Sequence, residues 1–110
     1  MPIYRTAENA KDPKIVTRWY QSDYKEVSNA VLSVTKQFGF NLLHQDDQFG
    51  EFILEKKQAT LDVKIISMNR RETAVDFTLN VANIFDFGRS KTMIFEMYQR
   101  LGKMLTEKKR

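Results

Sequence analysis

The chain has 110 residues, 42% hydrophobic and 12% aromatic, which fits one globular domain with its own core. It contains no cysteine, and this excludes disulfides, thiolate nucleophiles and Cys-based zinc or iron–sulfur sites. The formal charge of +4 is uneven: Arg89 to Arg110 carries seven Lys/Arg against Glu96 and Glu107, so the other 88 residues sum to −1.

The start, MPIYRTAENAKDPK, lacks the apolar stretch of a secretory signal, and no run of about 18 apolar residues suits a membrane span. Together with the missing cysteines, this gives a cytoplasmic location as the expectation. Residues 1–13 show no periodicity and read as a loose arm. KIVTRWYQ (14–21) carries Val16, Trp19 and Tyr20 and reads as a strand.

Val27, Ala30, Val31, Val34 and Phe38 then recur at helical spacing, predicting a helix over 23–38. Asp23 and Glu26 form its start signal, and Gly39 stands where a left-handed cap ends a helix. Four strands follow: FNLLHQ (40–45), EFILEK (51–56), TLDVKIIS (60–67) and ETAVDFTLNV (72–81). The last alternates most cleanly, with Val75, Phe77, Leu79 and Val81 against Ala74, Asp76, Thr78 and Asn80. Asp46–Gly50 and Met68–Arg71 read as turns, and such short connections imply antiparallel hairpins. A final helix over about 90–107 has Ile94, Met97, Tyr98, Leu101, Met104 and Leu105 as its apolar stripe. Ser90 reads as its N-cap, and Glu96/Arg100 and Lys103/Glu107 as i, i+4 pairs along it.

The order is therefore (β)-α-β-β-β-β-α. Two apolar helix stripes and one apolar sheet face require each other. The expected fold is α+β: a two-layer sandwich with an antiparallel sheet of four or five strands and two helices on one face. The domain is expected over 14–107, with 108–110 a basic frayed tail.

This order, with Gly39-Phe40, the Asp46–Gly50 turn and Gly88-Arg89-Ser90, resembles small bacterial domains of TATA-binding-protein-like topology. It is also similar to the helix-grip domains in lipoprotein subunits of the outer-membrane assembly machine. The resemblance covers about residues 15–106 and implies a fold and scaffolding roles. Many members are lipoproteins, and this chain has no cysteine to acylate, so their location does not carry over.

Asp86-Phe87-Gly88 matches the magnesium-binding tripeptide of kinases, but the Gly-rich loop, strand lysine and catalytic loop that give it meaning are missing. It reads as a bend, with Ile84, Phe85 and Phe87 tucked against the core and Gly88 at the turn. His44, the single histidine, shares the parity of Leu42 and is expected on the packed side. Asp46 and Asp47 read as turn residues, since a calcium loop needs more oxygen ligands. Asp62 and Asp76 lie mid-strand on the open face. They invite an acid–base reading, with cross-strand pairing to Lys64 as the preferred account.

Three surfaces remain. Leu43, Ile53, Ile66 and Ala74 fall on the otherwise polar sheet face, where a contiguous patch would suit a protein partner or a homodimer. Phe38, Met97 and Met104, with Met93 beside them, could line an apolar pocket between the last helix and the sheet. Arg100, Lys103, Lys108, Lys109 and Arg110 could contact phosphates, although the acidic open face lacks the aromatics of a single-strand binder. The expected function is a non-catalytic interaction or assembly module that self-associates through the open sheet face or an edge strand. Binding of a small apolar ligand is the alternative, and nucleic-acid binding the weaker one. No catalytic, cofactor-binding or metal residue is assigned, and no cofactor is expected.

Overall fold

The computed structural model describes residues 3–82 and 88–109. Its elements in chain order are β1 (Ile3–Arg5), a 3-10 turn (Pro13–Ile15), β2 (Arg18–Tyr20), α1 (Tyr24–Gln37), β3 (Asn41–Asp46) and β4 (Glu51–Lys56). They continue with β5 (Ala59–Asn69), β6 (Glu72–Val81), α2 (Arg89–Met104) and β7 (Glu107–Lys108). The fold is α+β, an open antiparallel sheet with both helices on one face. The sheet runs β3-β4-β5-β6-β2-β7, with β1 also paired to β6.

The helix α1 forms where its stripe predicts. Asp23 accepts a hydrogen bond from the Glu26 amide at 2.9 Å, which satisfies one of the free N–H groups of the first turn. At the other end Gly39 takes φ +89°, and the Phe40 amide returns to the Thr35 carbonyl at 3.1 Å. Val27, Ala30, Val31 and Val34 are buried. They meet Ile94, Met97, Tyr98 and Leu101 of α2 over a sheet face built from Phe52, Leu54, Leu61, Val63, Ile65, Val75, Phe77 and Leu79. Each buried Val, Leu, Ile, Phe or Met among them contributes about 1.5–3 kcal/mol on burial. The Tyr98 hydroxyl, at the centre, donates to the Val75 carbonyl at 2.7 Å.

Among the described residues the sheet has seven strands, not four or five. One addition lies in the stretch read as a loose arm, where Ile3, Tyr4 and Arg5 pair with Asn80, Leu79 and Thr78. The other lies in the stretch read as a helix end and frayed tail, where Glu107 and Lys108 pair with Tyr20 and Trp19. Both are too short to show a period in sequence. An open edge of β6 and then of β2 recruits them, because an edge backbone left bare lacks partners. Residues 14–21 divide for a local reason: Pro13 opens a 3-10 turn capped by Asp12, and only Arg18–Tyr20 continues as strand.

The helix α2 also differs at both ends. Gly88, at φ +82°, holds the N-cap position, and Ser90 is buried inside the first turn. The helix stops at Met104, so the i, i+4 pair of Lys103 with Glu107 does not form; Glu107 meets Arg18 at 3.0 Å. Arg100 donates to Gln37 at 2.8 Å and lies 4.6 Å over the Phe38 ring. Asp86 and Phe87 of the kinase-like tripeptide, and the expected core contacts of Ile84 and Phe85, lie outside the described residues. No described helix is long and apolar enough to cross a membrane.

Candidate functional site

Two features of the sheet set the candidate surfaces. The first is the β3 edge. β3 pairs with β4 on one side and is the terminal strand in the sheet order. A register shift between Leu42 and His44 places Leu42 opposite Leu54 but His44 opposite Ile53. Because side chains alternate faces strictly, the extra residue flips His44 to the open face. His44 is therefore exposed and not on the packed side as its parity predicts. The bulge leaves Leu42 44% and Leu43 58% exposed, with exposed Phe49 in the following turn.

That turn is built by its aspartates. Asp46 accepts from the amides of Gln48 and Phe49, at 3.0 and 3.3 Å. Asp47 accepts from Gln45 and from the Tyr24 hydroxyl, each at 2.9 Å. These bonds, that from Gln45 first, hold the Asp47 carboxyl below its usual value. Burial, then the Asp47 bond, pushes Tyr24 up to about 12.

The second feature is a split strand. β1 and β2 lie along the same edge of β6, β1 beside Thr78–Asn80 and β2 beside Thr73–Val75. The chain leaves this edge at Ala7 and rejoins it at Val16, where the two residues form a parallel bridge. Asp76 sits at the break. Its Oδ1 accepts both the Thr6 and Thr17 hydroxyls, at 2.6 and 2.5 Å. Thr6 Oγ1 also accepts the Phe77 amide at 3.0 Å. Asp76 thus ties the two strand pieces to β6.

Asp62 and Asp76 are not cross-strand partners. Asp62 lies opposite Thr78 and Asp76 opposite Lys64, whose ammonium reaches the Phe49 carbonyl.

The four-residue apolar patch is not contiguous. Ile66, Ala74 and Trp19 lie in one cross-strand row, and Ile53 in another with His44 and Asp62. The row carrying Glu51, Lys64 and Asp76 separates them. Ala74 is buried, while Ile66 remains exposed. The pocket residues are also dispersed: Met97 is fully enclosed, Met104 is exposed beyond the core, and Phe38 lies under Arg100. Among the basic residues, Lys108 is a strand residue held 3.5 Å from Glu72, and Lys103 and Lys109 are exposed. Arg110 lies outside the described residues.

Trp19, Glu8, Thr6 and Thr17 gather on the open face without any sequence signal having singled them out as a site. Trp19 Nε1 donates to Glu8 Oε1 at 2.7 Å. The only trace in the sequence is the alternation of Trp19 with buried Tyr20, which sends the indole to the face opposite the core. No family model matches this chain, and no curated protein matches it either.

Proposed function

We propose that this chain is a non-catalytic assembly module that pairs with a second copy of itself at the β3 edge. The observation that carries the reading is β3 itself: six residues, no lysine, no proline, and two exposed leucines on a terminal strand. Edge strands with these properties are templates for strand addition, and proteins ordinarily guard them with charge or proline. The opposite end of the sheet closes on the two-residue β7. An antiparallel two-fold between Leu43 and His44 would set Asn41 against Asp46 and Leu42 against Gln45, so no carboxylate meets its own copy directly. The bulge bends the edge and shortens the run able to pair. Association is therefore expected to be weak and concentration dependent.

The test is native mass spectrometry and light scattering across a concentration series, with Leu43→Lys as the variant. The reading expects a dimer that grows with concentration and a variant that stays monomeric with unchanged circular dichroism. A wild-type chain that is monomeric throughout, or a variant that dimerises equally, sinks it.

A further inference from the structure

We infer that the β3 dimer is locked by an ion pair made twice across its two-fold, Asp47 of one copy with Lys56 of the other. This rests on the β3 reading and adds to it an orientation and a charge code.

The bulge sets the register. Leu42 stands opposite buried Leu54, and Gln45 opposite buried Phe52, so both face the helices. Asn41 and Asp46 stand opposite exposed Glu55 and Glu51 and face the other way. The order of faces along β3 is therefore the same from either end, centred on Leu43 and His44. A two-fold at that centre sets helix-side residues against helix-side residues and open-face residues against open-face residues, as an antiparallel pair requires. A slip of one residue would set Leu42 against Asp46 or His44 and mix the faces.

The same operation joins opposite charges. One step beyond Asp46, Asp47 of one copy comes beside Phe40 of the other. Lys56 reaches across to that position: its Nζ lies 4.9 Å from the centre of the Phe40 ring and donates to the Phe38 carbonyl at 3.0 Å. A strand added to the edge stands about 4.8 Å further out. The ammonium is then within one strand spacing of the incoming carboxylate. Both groups lie on the helix side, since Asp47 accepts the hydroxyl of Tyr24, the first residue of α1, and Lys56 alternates with buried Phe52 and Leu54.

The carboxylate is held in place by Gln45 and Tyr24, so little freedom is lost when it is used. Among the described residues no ion pair engages Asp47 or Lys56. Asp46 and Glu51 add negative charge at one end of the strand, and Lys57 adds positive charge at the other, where Glu55 on the open face is the exception. An alignment that brings like ends together is repelled.

The experiment swaps the charges. Asp47→Lys alone sets lysine against Lys56 twice in its own dimer, and Lys56→Glu alone sets glutamate against Asp47 twice. Mixed in equal amounts, the two variants regain opposite charges at both contacts. With one variant isotope-labelled, native mass spectrometry separates the two homodimers from the heterodimer. The heterodimer should dominate, with each homodimer at least about 10-fold weaker than the wild-type dimer.

If the wild type dimerises and each variant alone dimerises as tightly, the ion pair is overturned while the β3 reading stands. A mixture that fails to recover the dimer overturns it too. A wild type that is monomeric throughout overturns both. Asp47→Asn keeps an acceptor for Gln45 and Tyr24, and it carries the test if Asp47→Lys loses its circular dichroism. It should weaken the dimer by about 2- to 20-fold at low salt and match the wild type at high salt. An Asp47→Asn dimer as tight as wild type at low salt overturns the proposal.

Discussion

Replacing Asp76 by alanine should loosen the whole N-terminal edge of the sheet. The carboxylate accepts two hydroxyls, from Thr6 and Thr17, which are only 8% and 7% exposed. Alanine leaves both donors in a nearly closed place without their acceptor. Hydrogen bonds to a charged group contribute about 1.5–3 kcal/mol each. Asp76 is half-buried and opens onto a cleft, so water recovers part of this, and the expected loss is about 2–4 kcal/mol. For a chain of this size that lowers the melting temperature by roughly 10–30 °C. Asp76→Asn retains an oxygen at the same place and should lose no more than about 1 kcal/mol.

Hydrogen exchange gives the local readout. The amides of Thr6, Ala7 and Thr17 bond to Phe77, Ile15 and Ala7 at 2.9, 3.1 and 3.2 Å. In the alanine variant they should exchange faster than the β4–β5 amides do, as the 3–17 segment opens independently. A melting temperature within about 2 °C of wild type, or unchanged exchange at these three amides, would refute the latch.

Three further outcomes test the remaining geometry. Gly50→Ala should cost about 2–4 kcal/mol in chemical denaturation, because the new Cβ meets the Ile65 carbonyl oxygen and the backbone is held at φ +65°. A loss below ~1 kcal/mol would mean that the β3–β4 turn is more pliant than its contacts suggest. Gly102→Ala, in a helix with nothing within 4 Å of its Cβ, should gain about 0.5–1 kcal/mol in the same assay; a loss would contradict a regular helix there. Alkaline titration should show a cooperative step. Burial first, then Asp47, raises Tyr24 to about 12, and burial raises Tyr20 and Tyr98 further. The folded state thus holds protons that the unfolded chain releases near pH ~10. This stability is complete below that value and is lost as pH climbs through about 12. Phenolate absorbance from these three residues should appear with loss of circular dichroism, and gradual ionisation in a folded protein would count against it.

The stripe over 23–38 and the alternation over 51–56 and 72–81 were legible because amphipathic periods are local. One helix face or one strand face meets the core, and the residues repeat accordingly. Turn chemistry is local too, so Asp46–Gly50 and Gly39 could be read directly. His44 was misplaced because a bulge adds a residue with no signature in sequence, and every parity beyond it reverses. The Lys103/Glu107 pair failed for a related reason: a helix end is set by what the flanking chain meets, here Arg18 and the β2 edge.

By itself the sequence determined the two-layer α+β class, the two helices, four consecutive strands of the sheet and, for all of these but β3, the face presented to the core. Composition and short-range periodicity carry that information. Only the tertiary structure decided that Ile3–Arg5 and Glu107–Lys108 complete the sheet, and that Ile53 and Ile66 lie in different rows. It alone joined Glu8, Trp19 and Asp76 around one cleft. These groupings depend on strand order and register, which link residues as far apart as Trp19 and Lys108 through backbone pairing and shared hydrogen bonds. No local pattern records such distant neighbours, because the free energy that selects them arises only when the edges meet.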